Sequence, residues 1–410
     1  MKILICGINY APELTGIGKY TGEMATWLAG EGQDVSVITA MPYYPEWEVH
    51  KSYKGKFWHK EILDGVKVYR CPLYVPKNVT SLKRIIHEFS FLASILPIWF
   101  LTLFQPKYDV VFSISPPFHL GLLPLLYSKF KGAKFVNHIQ DLQVDAAKDL
   151  GMIKNQAFLD IMFGTEKFIL NNGDVVSTIS AGMQRKIEGK GIPASRIWQF
   201  PNWVDESVIK PLSREESLRM EFGFSDLDFV ILYSGNLGEK QGLEVIIEVA
   251  KTYKERKNVY FVISGTGGGK DKLIAMAREA NLHNVQFHPL QPYEKLSALL
   301  AMADLHLVLQ KKSASDLVLP SKLTGILAAG GCALVTAVPG TTLYDVIRQY
   351  DMGILVEPES ASGLQQGIEK AMTEDMNRIR NNARQYAVQH LSKHGILKHF
   401  EDRLYKLVAF

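Results

Sequence analysis

The 410-residue chain has little cysteine: Cys6, Cys71 and Cys332 are far apart, with no CxxC pair and no cysteine–histidine cluster. A disulfide framework or a structural zinc site is not expected, and a reducing compartment fits. An excess of one charge sign is also missing. The 46 Lys and Arg against 42 Asp and Glu leave a formal charge of only +4, which excludes the strong basic bias of a dedicated nucleic-acid binder. Low-complexity segments and short repeats are absent. The first apolar run, Lys2 to Gly7, meets Asn9 and Pro12 too soon for a signal peptide, so a first buried strand and a cytoplasmic chain are expected. The apolar stretch from Phe89 to Phe104 is 16 residues with Pro97 in its middle, short of the roughly 20 that a spanning helix needs.

What remains is an ordinary globular composition, 47% hydrophobic and 21% charged, long enough for about two or three domains. Strand and helix patterns alternate throughout. Apolar, β-branched runs fall at Lys2–Ile8, Val35–Thr39, Val66–Arg70, Val110–Ile114, Phe135–Ile139 and Val175–Ile179, with helical patterns at Lys19–Ala29, Phe118–Phe130 and Ala157–Leu170. Nearly continuous apolar runs are the signature of buried parallel strands. The rhythm breaks between Phe200 and Pro211, then restarts at Phe229–Tyr233, Val259–Ser264, Val285–Phe287, Leu305–Leu309, Ala333–Thr336 and Ile354–Val356. Two doubly wound, Rossmann-like α/β domains follow, over residues 1–205 and 206–390, with 391–410 a final helix packing back on the first.

Ligands of open parallel sheets sit at the carboxyl ends of the strands, so the residues after each strand are the candidates. After the first come Thr15, Gly16 and Gly18, a loop that lets backbone amides approach a phosphate. The third glycine of a dinucleotide fingerprint is replaced by Thr21, which argues against a nicotinamide site. After Phe135–Ile139 come His138 and Asp141, with Asp145 in the same loop, a group able to orient a hydroxyl or accept its proton. In the second half, Gly235, Asn236, Gly238 and Lys240 precede a helix, where charge and free amides suit a diphosphate. A second glycine loop holds Gly265 and Gly267 at the next strand end, and His288 ends the strand after that. Pro320-Ser321 opens a further helix bearing Lys322 and Leu323, with Asp316 just upstream. A cleft lined by strand ends and an ordinary set of capped helices both fit these spacings.

Between Lys51 and Arg84 lie nine Lys or Arg against Glu61 and Asp64. Interleaved with Tyr53, Phe57 and Trp58, and next to the apolar stretch, they point to a surface that leans on anionic lipid. A helix buried in the core beside a solvated loop is the other reading.

The segments Asn9–Met24, Pro42-Tyr43-Tyr44-Pro45, Cys71–Lys77, His138-Ile139-Gln140-Asp141, Tyr233–Leu243 and Leu317–Thr324 together resemble the colanic-acid biosynthesis fucosyltransferases. That resemblance implies a GT-B fold and a retaining, metal-independent glycosyltransferase of the family-four type. It implies a GDP-fucose donor, an undecaprenyl-diphosphate-linked acceptor, no cofactor, and a peripheral place on the inner membrane. His138 matches the family's strand-end histidine at the transferred sugar. The sequence departs from the broader family at three places. Gln241-Gly242 stands where Lys-Gly is usual, so Lys240 is one residue off, and Asn236 replaces an arginine. The paired glutamates fall at Leu317 and Gly325, leaving Asp316 and Lys322 as substitutes in nucleotide recognition. With this resemblance, His138 and Asp141 are expected to be catalytic, and Gly235, Asn236, Gly238, Lys240 and Lys322 to hold the diphosphate. Gly265, Gly267, His288, Asp316 and Leu323 are expected at the nucleotide, and Thr15, Gly16 and Gly18 at the acceptor. A nucleotide-sugar epimerase and a non-enzymatic sugar-nucleotide scaffold share enough of this pattern to stand as alternatives.

Overall fold

The computed structural model describes residues 1–13, 16–149, 153, 155–312 and 320–409, the side chains of Asp149 and Lys240 excepted. The chain divides into two compact units, Met1–Pro201 with Leu397–Phe410, and Asn202–Ile396.

In the first unit the described strands are β1 (Lys2–Cys6), β2 (Asp34–Ala40), β3 (His59–Leu63), β4 (Val66–Cys71), β5 (Val110–Ser115), β6 (Lys134–Ile139), β7 (Val175–Thr178) and β8 (Ile197–Gln199). They form one sheet in the order β3-β4-β2-β1-β5-β6-β7-β8. All neighbours are parallel except β3 and β4. Central strands are covered on both faces, which is why β5 (Val-Val-Phe-Ser-Ile-Ser) is buried at every position. At the edge, β3 (His-Lys-Glu-Ile-Leu) alternates half-buried and exposed residues, as charged edge strands do. The basic stretch is thus not all solvated loop. Asp64 and Gly65, both at positive φ (49° and 81°), make the two-residue turn that folds β3 onto β4.

The apolar stretch also differs from expectation. Thr80 accepts a hydrogen bond from the Lys83 amide at 3.4 Å and starts the helix eight residues early, so it runs Ser81–Thr102, 22 residues. By length and composition it could cross a membrane. Yet one face buries His87, Glu88, Phe91 and Ile95, with Phe91 and Ile95 in the core beside Leu4, Ile38 and Val111. The other exposes Leu82, Ile86, Phe89, Leu96 and Phe100 at the three- and four-residue spacing of a single stripe. The final helix, Lys393–Ala409, closes the unit. Phe400 stacks on Phe200 at 3.8 Å, and Gln33 donates to Glu401 at 3.1 Å and to the Tyr405 hydroxyl at 2.6 Å.

The second unit holds β9 (Phe229–Asn236), β10 (Val259–Thr266), β11 (Val285–His288), β12 (Leu305–Val308), β13 (Ala333–Thr336) and β14 (Ile354–Val356). They form a parallel sheet in the order β11-β10-β9-β12-β13-β14. Each face carries its own core. Along β9, Val230 and Leu232 face one cluster while Ile231 and Tyr233 face the other, so alternate residues of one strand serve two layers of helices. This is the doubly wound order, and its direction reverses between β9 and β12. In the first sheet the reversal lies between β1 and β5. A crevice opens at such switch points, outside the carboxyl ends of the strands.

Candidate functional site

At the β9–β12 switch point the last turn of β9 faces the helix Ser321–Ala328, which starts at Pro320 with no side chain capping its first amides. Gly235 sits at φ 143°; a Cβ there would lie 3.5 Å from Lys322 Cε and Nζ. Lys322 therefore lies against the glycine turn. Its ammonium donates to the Tyr233 hydroxyl at 2.7 Å and lies 3.9 Å from the centre of that ring. The Tyr233 hydroxyl in turn donates to the Asn236 carbonyl at 2.7 Å. Burial pushes the Lys322 pKa down from 10.5 to about 7 and holds the Tyr233 phenol above its ordinary value. A neutral phenol and a ring face stabilise a cation far less than an anion would. The arrangement is a desolvated cation beside glycine backbone, the chemistry of an anion site.

The structure separates the remaining predicted residues of this unit. Gly235 and Lys322 come together. Gly238 precedes the short turn Glu239–Gln241, with Gln241 Oε1 and Asn236 Nδ2 3.0 and 3.2 Å from where its Cβ would be. Asn236 is exposed at the end of β9. Gly265 and Gly267 have a packing reason to be glycine. Gly265 pairs with Gly235 across the sheet, and a Cβ on it would fall 1.9 Å from the Gly235 carbonyl oxygen. A Cβ on Gly267, at φ 150°, would fall 2.7 Å from the Leu237 carbonyl. These glycines are required by close strand packing. The Leu323 side chain is wholly buried in the core, and its amide donates to the Pro320 carbonyl at 2.8 Å. His288 is half-buried at the end of β11 and stacks on Phe222 at 4.0 Å. Asp316, Leu317 and the Lys240 side chain lie outside the described residues.

In the first unit the β1–β5 switch point opens into a pocket of about 250 Å³. Gly16 and Asp141, expected from the sequence, both line it, together with residues far away in the chain, Tyr43, Trp47, His87 and Glu88. The loop after β1 is fixed from beneath. Glu13, buried, accepts from the amides of Tyr43 and Tyr44 at 3.1 and 3.0 Å and from Asn9 Nδ2 at 2.9 Å, while burial raises its pKa. Arg70, also buried, donates to the Ala11 carbonyl at 2.5 Å and to Glu61 at 2.6 Å. The helix starts at Gly16, so Gly18 is no part of an open loop. A Cβ on Gly18 would meet Glu13 Oε2 at 2.6 Å, and the residue is glycine to admit that carboxylate. Thr15 lies outside the described residues.

His138 is buried at the end of β6, where its Nδ1 meets Ser177 Oγ at 2.8 Å and its ring lies 5.2 Å from Phe200. Burial drops its pKa to about 3, so the ring is neutral at physiological pH. Asp145 is on a helix rather than in the loop, and it pairs with Lys190 at 2.5 Å. Lys190 also pairs with the buried Glu166. Among the described residues no group of three or more His, Cys, Asp or Glu could hold a metal ion. No role was expected of Tyr233, Glu13, His87 or Glu88. Lys322 lies 89 positions from Tyr233, Tyr43 30 from Glu13 and Gln143 55 from Glu88, and only the topology brings these pairs together.

Comparison with known proteins agrees with this architecture. Residues 15–203 match the glycosyl transferase 4-like domain and residues 215–389 the glycosyl transferases of group 1. A glycosyl transferase assigned to colanic acid biosynthesis, WcaI of Escherichia coli (strain K12), is 43% identical over 408 residues, 98% of each chain. The alpha-galactosylglucosyldiacylglycerol synthase of Streptococcus pneumoniae is 26% identical over 211 residues, 49% of this chain and 54% of that protein. Among solved structures, sucrose-phosphate synthase from Thermosynechococcus elongatus superposes with a TM-score of 0.76 at 15% identity, covering 100% of this chain and 99% of the other. Anabaena Alr3699/HepE in complex with UDP gives 0.73 at 15% identity over 99% and 100%. These two likenesses establish the two-Rossmann GT-B fold.

Proposed function

The chain belongs to the GT-B glycosyltransferases of group 1, the family of its 43% identical relative WcaI, and from that premise we propose that it transfers fucose from GDP-fucose to an undecaprenyl-diphosphate-linked oligosaccharide. The pathway is a colanic-acid-like exopolysaccharide synthesis, in keeping with the role assigned to WcaI. The observation that carries the reading is Lys322, a half-buried, desolvated cation against the Gly235 turn that donates to a phenol. The second unit takes the donor, with Gly235, Asn236, Gly238, Lys240 and Lys322 at the diphosphate and His288 at the nucleotide. The first unit takes the acceptor, placed by Gly16, Asp141 and His138.

In the reaction the bond from the sugar's anomeric carbon to the diphosphate breaks, and a bond to the acceptor oxygen forms on the same face. The acceptor's hydroxyl proton passes to the departing phosphate oxygen. Configuration is retained without a protein nucleophile, and Lys322 with nearby backbone amides takes up the charge that a metal would otherwise neutralise. The enzyme works on the cytoplasmic side of the membrane, held by the exposed stripe of the helix Ser81–Thr102 and the neighbouring basic residues.

A screen of GDP-, UDP- and dTDP-sugars against membrane extract, with products read by mass spectrometry, tests the assignment. GDP-fucose should extend a lipid-linked saccharide by one deoxyhexose. Conversion of the donor without an acceptor product would make the protein an epimerase. Donor binding without turnover would make it a scaffold.

A further inference from the structure

The pocket at the β1–β5 switch point sets hydrogen-bond acceptors beside one guanidinium, Arg84. The His87 Nδ1 lies 2.5 Å from the Tyr74 carbonyl. A carbonyl oxygen can only accept, so Nδ1 carries the hydrogen and Nε2 presents a lone pair. Burial lowers the pKa of His87, which keeps the ring neutral. Nε2 is buried and has no partner among the described residues, an omission that costs free energy unless something donates to it. Next to it Glu88 adds a carboxylate, which accepts from the Gln143 amide at 2.9 Å to both oxygens and from Arg84 Nε at 3.3 Å. Asp141 adds another carboxylate at the pocket wall.

The other walls are aromatic. Tyr43 lies edge-on to His87 at 4.6 Å, and Trp47 lies 5.2 Å from it. Trp47 is held at φ 53°, a strained conformation for a bulky residue that is retained where the surroundings impose it. Acceptors beside apolar ring faces suit a molecule with hydroxyl donors on its edge and C–H groups on its face. The volume of about 250 Å³ lies just under the ~300–1,000 Å³ range of small-molecule pockets, so the occupant is small.

We propose that this pocket binds one neutral pyranose ring of the acceptor, with a ring hydroxyl donating to His87 Nε2 and the ring face packed against Trp47. The inference rests on the reading that the first unit takes the acceptor. It adds that His87, Glu88 and Trp47 select the acceptor sugar.

Saturation-transfer NMR on the full chain tests it with methyl glycosides of glucose, galactose and fucose as probes. At least one should receive saturation from the wild-type protein and lose it in His87→Phe, which keeps an aromatic ring but no acceptor. Trp47→Leu, on a half-exposed loop, should weaken the same signal and serves if the core variant does not fold. Adding the nucleotide-sugar donor should not displace the glycoside. Displacement would assign the pocket to the donor's sugar and overturn the proposal. So would silence from all three glycosides, or an undiminished signal in both variants. In the transfer assay, His87→Phe should raise the acceptor KM about three- to tenfold, the cost of one neutral hydrogen bond, with the donor KM unchanged. Wild-type transfer with no such change sinks this inference alone. A glycoside signal without any transfer sinks the proposed function alone.

Discussion

Replacing Lys322 by methionine should remove a pH dependence as well as an affinity. In the free protein the Lys322 pKa is about 7, against 10.5 for the ordinary side chain, so at pH 7 the group is about half protonated. A bound diphosphate restores the charged form and lifts the pKa back towards its ordinary value. Binding at pH 8 should then draw about 0.9 proton from solution, and GDP affinity should fall about fiftyfold from pH 7 to pH 9. Phosphate titration, near pH 6, is over by then. Calorimetry in buffers of different ionisation enthalpy measures both quantities. In Lys322→Met the proton uptake should vanish and the affinity become flat with pH. Turnover should drop by about 10²–10³, as when one donor to developing charge is lost.

Stability gives the same prediction with its own sign. A lysine whose folded pKa is depressed weakens the fold in full below about pH 7, and the deficit disappears as pH climbs from 7 to 10.5. The ligand-free methionine variant should therefore be more stable than wild type at pH 7, by at most roughly 4 kcal/mol, in urea melts. The two curves should converge near pH 10. Affinity independent of pH in the wild type, or a variant that melts earlier at pH 7, would refute the anion-site reasoning.

The glycine assignments make a sharp pair. Gly265→Ala places a methyl 1.9 Å from the Gly235 carbonyl oxygen, while Gly268→Ala meets nothing within 4 Å. Thermal melts should show the first losing about 3 kcal/mol or more and the second nearly unchanged; equal behaviour would mean the glycine loop is not packed as described. For the membrane, liposome flotation should require anionic lipid and weaken with salt. Replacing Phe89 and Phe100 by glutamate should abolish it, and unchanged flotation of that variant would remove the helix from the lipid contact.

The parallel strands were legible because burial on both faces writes continuous apolar runs such as Val110–Ser115. The edge strand β3 was not, since its charges alternate with half-buried residues and resemble a solvated loop. The early start of the helix Ser81–Thr102 was hidden for a related reason. Its first two turns are amphipathic, and only the later turns read as an apolar block. Lys322 could be picked out from the Pro-Ser helix start, but not Tyr233, whose place beneath it depends on where β9 meets the helix. Gly265 and Gly267 show what a composition signal leaves out: sequence displays the missing side chain and conceals what presses against it. His87 and Trp47 lie forty residues apart, and nothing local announces that they share a wall.

The closing helix sets an order on biosynthesis. Phe200 receives its stacking partner, and Gln33 two of its three acceptors, from residues beyond 397. Residues 202–396 are contiguous and emerge from the ribosome with everything their own sheet requires. At about 5–20 residues per second the first half waits at least ten seconds with an unfinished flank, although it was translated first. A truncation at residue 201 would leave that flank permanently bare, so soluble expression of the first half calls for grafting the last fourteen residues onto it.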